Sequence, residues 1–89
     1  MSDRRVIYGR QYFRTAHHLG APERVALAAM LRTMEAEAML PGPGDVKDVL
    51  APTTPCWRRR IGASAWWLFY TLRDDAAVVV VAVAVPAYP

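Results

Sequence analysis

Eighty-nine residues, 54% of them apolar and 21% charged, make one small domain, spanning residues 1–89, with a thin core, and exclude an intrinsically disordered chain. The single cysteine, Cys56, excludes a disulfide-stapled scaffold, and two histidines beside it fall short of a structural zinc set. The net charge of +3 is unevenly spread: Arg4, Arg5, Arg10 and Arg14 outweigh Asp3 in the first twenty residues, and Arg58, Arg59 and Arg60 follow one another directly. The remainder is acidic, so an anionic partner, nucleic acid or acidic protein, suits the two basic segments. No apolar run follows the basic start, and the longest uncharged stretch, Ala76 to Pro89, is shorter than the roughly 20 residues of a membrane span. A soluble cytoplasmic protein with no membrane association is the expectation.

Val6-Ile7-Tyr8 reads as a short strand, rich in β-branched and aromatic residues. Tyr12, Phe13, Ala16 and Leu19 then recur at helical spacing up to Gly20, a natural helix stop. Pro22 suits the first turn of a second helix, with Glu23 near its positive end. Leu27, Met30, Leu31, Met34 and Ala38 make one apolar stripe along it. Pro41-Gly42-Pro43-Gly44 marks its end, and residues 45–55 read as a connection with Asp45 to Leu50 at most one turn. Trp57–Ile61 and Ala65–Leu72 form two strands about a Gly62-Ala63-Ser64 turn, and Arg73-Asp74-Asp75 turns into a last strand, Ala77–Val85, dominated by valine. Pro86 and Pro89 end it. The order β-α-α-β-β-β defines an α+β domain: two antiparallel helices packed on one face of a mainly antiparallel four-stranded sheet.

Strand alternation divides the arginine run. Trp57, Arg59 and Ile61 share one face, and Arg58 and Arg60 the other. Trp66, Leu68, Tyr70 and Leu72 should turn to the helices, which leaves Trp67 and Phe69 as cross-strand neighbours of Arg58 and Arg60. Guanidinium groups beside aromatic rings suit phosphate binding and base stacking. They also suit a plain solvated sheet face.

With this order of elements the chain resembles the RelE/ParE superfamily of toxins from type II toxin–antitoxin systems. The resemblance runs over nearly the whole length. It is clearest in Cys56-Trp57-Arg58-Arg59-Arg60-Ile61-Gly62 followed by Trp66-Trp67-Leu68-Phe69-Tyr70. The family pattern there is an aromatic, alternating basic residues, a glycine turn and a second aromatic strand. The resemblance implies a toxin that inhibits translation by ribosome-dependent mRNA cleavage or binding through a basic sheet face, as a metal-independent endoribonuclease without cofactor. It implies a cognate antitoxin, with mRNA and ribosome as further partners. Arg58 and Arg60 match the family's basic pair and take the catalytic role; Arg58, Arg59, Arg60 and Trp67 form the nucleic-acid-binding set. Trp67 stands where the family's catalytic arginine is expected, Val85-Pro86-Ala87 replaces a basic residue at the end of the last strand, and Tyr88 is the only C-terminal aromatic match. These departures keep open a catalytically inactive protein-binding or assembly module on the same fold, or a gyrase-directed toxin.

The remaining polar residues offer less. His17 and His18 are adjacent, about 100° apart on a helix, and cannot share one metal at the usual spacing. Cys56 reads as a small packing residue, Glu35 and Glu37 point to different sides of a helix, and Asp74 and Asp75 belong to a turn. Gly42 and Gly44 lack the lysine of a phosphate-binding loop. Met30, Met34 and Met39 read as packing residues, while the apolar surplus of the alanine-rich helix and last strand calls for a covering partner. A homodimer through Ala77–Val85, taken as an exposed edge strand, is the competing account.

Overall fold

The computed structural model describes residues 4–51 and 54–85. In chain order it has β1 (Arg5–Tyr8), α1 (Arg10–Thr15), a 3-10 turn (Ala16–His18), α2 (Ala21–Ala36), β2 (Val46–Ala51), β3 (Thr54–Arg60), β4 (Trp67–Arg73) and β5 (Val78–Ala84). The expectations attached to Asp3, Pro52, Pro86, Tyr88 and Pro89 fall outside the described residues.

The sheet has five strands in the order β1-β5-β4-β3-β2. Four had been expected; the additional one is β2, in the segment read as a connection. Its Val46, Lys47 and Asp48 pair antiparallel with Arg58, Trp57 and Cys56, and a register shift follows between Val49 and Ala51. Two prolines obscured it. Pro55 lies in β3 beyond the stretch from Trp57 to Arg60 that pairs with β4, a strand end that tolerates a missing N–H. The last strand also sits elsewhere than the edge assigned to it. β5 is paired on both sides, parallel to β1 and antiparallel to β4. The homodimer reading loses its premise, because both backbone edges of β5 are already used.

Valine alternation explains how β5 can be central. Val79, Val81 and Val83 are buried towards the helices, while Val78, Val80, Ala82 and Ala84 face away and are half-buried. Leu27, Leu31 and Met34 of α2 meet that inner row together with Leu19, Leu40, Ile61, Leu68 and Tyr70. The helix stripe read from sequence is thus the core stripe, except at Ala38. α2 stops at Ala36, where Glu37 takes an extended conformation. The first helix is likewise shorter than expected, ending in the 3-10 turn that carries His17 and His18.

What stops α2 is partly Arg4. Its Nη1 donates to Met34 O at 3.1 Å and to Glu37 O, its Nη2 to Ala38 O at 3.3 Å, and its Nε to Ala76 O at 2.8 Å. A guanidinium here satisfies carbonyls that a helix C-terminus leaves unpaired and complements the negative end of its dipole. It also fixes the β4–β5 turn, in which Asp74, Asp75 and Ala76 all have positive φ. One of the N-terminal arginines is therefore structural. Arg4→Ala should lower the unfolding free energy by about 2 kcal/mol, read from the urea midpoint, while the exposed Arg10→Ala should leave it nearly unchanged.

Candidate functional site

The register between β3 and β4 sets Arg58 opposite Phe69, Arg59 opposite Leu68, and Arg60 opposite Trp67. Directly opposed residues share a face. Arg58 and Arg60 therefore stand with Trp67 and Phe69 on the face turned away from the helices. The guanidinium carbon of Arg58 lies 4.6 Å from the Trp67 ring centroid and that of Arg60 lies 5.6 Å away, both within cation–π range. One indole within reach of both guanidinium groups offsets part of the repulsion between their like charges. Arg58 also reaches across to β2, where its Nε lies 3.5 Å from Asp48 Oδ2.

Asp48 was invisible to the sequence reading because β2 was. The alternation of Val46 and Asp48 against Cys56 and Arg58 could have exposed it once a hairpin across the two prolines was considered. Around this group the outer face continues through Phe69, Ala82, Ala84 and Val80. The site thus has a cationic end and an apolar end. Neither histidine joins it: His17 and His18 belong to the helical layer, their rings 4.1 Å apart. Among the described residues no cluster of histidine, cysteine and carboxylates could hold a metal ion. Two arginines, one tryptophan and an ion-paired carboxylate can bind phosphate and stack a base; what they contribute to bond cleavage is electrostatic.

Arg59 does not share this surface. It points to the helix side, where its Nε and Nη2 donate to the two carboxylate oxygens of Asp45 at 2.6 and 2.7 Å, and its Nη1 and Nη2 to those of Glu37 at 2.8 and 3.1 Å. Tyr70 donates its hydroxyl to Asp45, and the Gly42 N–H donates to the same carboxylate at 2.8 Å. Gly42 has to be small: a Cβ there would come within 2.7 Å of Arg59 Nη2 and 3.0 Å of Glu37 Oε2. The Asp45 side chain is 1% exposed and that of Arg59 18%.

Burial alone would push the Asp45 carboxyl up, yet the hydrogen bonds from Arg59, Tyr70 and Gly42 outweigh it and hold the group below its ordinary value. The Asp45 bonds, against opposing burial, raise the Arg59 guanidinium further. Burial first, then the Asp45 bond, raises the Tyr70 phenol. With the folded carboxyl more acidic than the unfolded one, the stability it supplies is complete above about pH 4 and is lost as pH falls through its folded value.

No protein-family model matches the sequence, and no curated protein matches it. Among solved structures, the fold is similar to that of an archaeal RelE–RelB complex from Pyrococcus horikoshii OT3. The TM-score is 0.72 at 15% identity, over 98% of this chain and 99% of that one. The chain therefore has a RelE-like fold: an α+β domain with two helices against a mostly antiparallel five-stranded sheet. No helix among the described residues is long and apolar enough to cross a membrane.

Arg59→Ala should destabilise the protein by about 3 kcal/mol at pH 7, since it strands two carboxylates. In that variant Asp45 loses its main counter-charge and protonates more readily than in the unfolded chain, so acid favours the fold. The gap from wild type should accordingly narrow between pH 7 and about pH 3.5 in urea denaturation. A gap that widened would contradict the assignment.

Proposed function

We propose that this protein is the toxin component of a type II toxin–antitoxin pair, arresting translation by engaging mRNA through Arg58, Arg60 and Trp67. The observation that carries the proposal is the approach of those two guanidinium groups to one indole, on the face turned away from the helices in a sheet with the RelE fold. Adjacent phosphates of a single strand would take the two arginines, and a base would stack against the aromatic surface. When a 2′-hydroxyl attacks the neighbouring phosphorus, negative charge builds on its oxygens, and Arg58 and Arg60 would stabilise that charge in an mRNA interferase mechanism. A protein partner, as RelB is for RelE in the archaeal complex, would restrain the activity by covering this face.

A second reading draws on the same residues. By the resemblance Trp67 stands where a catalytic arginine would be expected, and Asp48 pairs with Arg58. Both features favour holding RNA over cutting it, so a non-catalytic binding module on the same fold is the alternative.

The test is amino-acid incorporation in a bacterial host after tightly controlled expression, with equal soluble protein verified by immunoblot. Wild type should stop incorporation, and Arg58→Ala with Arg60→Ala should reduce the effect by roughly 100-fold or more. Mapping of RNA 5′ ends then separates the readings: new ends inside open reading frames support cleavage, and arrest without them supports binding alone. Normal incorporation with wild type would remove the toxin proposal for that host.

A further inference from the structure

The helical side of the sheet carries a cavity that the proposed function leaves unused. It has a volume of about 540 Å³ and lies between α2 and the segment running from the end of β1 through α1. Volumes of roughly 300–1,000 Å³ are typical of small-molecule sites. Leu19, Leu27 and Leu31 supply buried aliphatic surface to it. Tyr8 and Tyr12 supply an aromatic wall, with ring centroids 4.7 Å apart and planes tilted by 57°. Burial, reinforced by the neighbouring Tyr8, pushes the Tyr12 phenol above its ordinary value, so its hydroxyl remains a neutral donor.

The other wall is cationic. Arg24, Ala28 and Arg32 recur at intervals of four along α2 and all line the cavity. They form one row about 12 Å long at 1.5 Å per residue, with the small alanine opening a notch between two long side chains. Arg24 is pre-positioned: its Nε donates to Leu19 O and its Nη2 to His17 O, both at 3.1 Å. That leaves the two N–H groups of Nη1 and the second N–H of Nη2 as its remaining donors. Arg32 has no hydrogen-bond or ion-pair partner among the described residues and is exposed. Against these two cations the lining sets the single carboxylate of Glu35. An apolar interior with a net positive rim suits an apolar body bearing one negative head.

The geometry points to this cavity as a binding site for a small amphipathic organic anion, its apolar body between Leu27, Leu31 and the Tyr8–Tyr12 pair and its anionic head at Arg24 or Arg32. The site lies across the sheet from Arg58 and Arg60, so it is independent of RNA engagement. A second copy of the chain is the competing occupant, because Val25 on the outer face of α2 is 71% exposed.

The experiment is an NMR titration of the full-length, isotope-labelled protein with sodium decanoate below its micelle concentration. Decyltrimethylammonium, which has the same tail and a positive head, is run in parallel. Decanoate should give saturable shifts centred on Tyr12, His17, Leu27, Ala28 and Leu31, with the cation binding about tenfold more weakly. Arg32→Gln removes a charge that makes no structural bond and should weaken decanoate about threefold. Ala28→Trp fills the notch from an exposed helix position and should abolish the shifts while amide signals on the sheet stay in place. Equal binding of anion and cation, shifts centred on Trp67, or shifts that never saturate would each overturn the assignment. So would concentration-dependent shifts at Val25 and Ala29 without ligand, which would give the face to a second copy.

Discussion

Three segments that are far apart in sequence meet at one guanidinium group. Arg59 binds Glu37 just past the end of α2, Asp45 at the start of the β2 hairpin, and through Asp45 also Tyr70 of β4. Charges this poorly exposed are stable only when every one is answered. Here each carboxylate receives at least two donors. The chain between Glu37 and Asp45 therefore has little freedom in how it leaves the helix and enters the sheet. β2 is placed by that path, and with it Asp48, the ion-pair partner of Arg58 on the other face. The internal arginine and the external pair are in this sense parts of one arrangement.

The two faces of β3 divide work among three identical residues. A pleated strand sends neighbours in opposite directions, so the middle arginine secures the helix side of the sheet, while on the other side Arg58 is mostly buried in its pairing with Asp48 and Arg60 is exposed. Trp67 contributes on the outer side without needing a partner for a second charge, because an aromatic face attracts cations without neutralising them. A carboxylate at that position would bind the arginines more tightly and leave them less for a phosphate. The outer face continues through the buried Phe69 and the half-buried Ala82 and Val80.

Much of this was legible in the sequence because it depends on period. The parity of the arginine run, the pairing of Arg58 and Arg60 with Trp67, the core stripe of α2 and the strand character of the valine run all follow from side-chain direction alone. β2 was hidden because Pro52 and Pro55, which come between Ala51 and Cys56 in the sequence, suppress strand propensity, and propensity is local while pairing is not. The central position of β5 was hidden for a related reason: which strand becomes an edge is set by long-range pairing, and nothing within Val78–Ala84 announces a parallel neighbour at Arg5–Tyr8. Arg4 and Arg59 were grouped with surface charge because their partners, helix-end carbonyls and carboxylates from separate loops, come together only in the fold.

That central strand has a consequence for the order in which the molecule can be assembled. β4 pairs on one side with β3, and on the other side it has no neighbour until Val78–Ala84 arrive. β1, ahead of the other strands in chain order, pairs only with β5 among the described strands, across a span of about 70 residues. A nascent chain that has just emerged through β4 thus holds a three-stranded array whose β4 edge is still bare, and a β1 with nowhere to lie. The two helices likewise lack the row of Val79, Val81 and Val83 on which they pack. Sheet closure, helix docking and burial of β1 all wait for the same seven residues, so the strand that comes after all the others in the sheet supplies its hydrophobic centre.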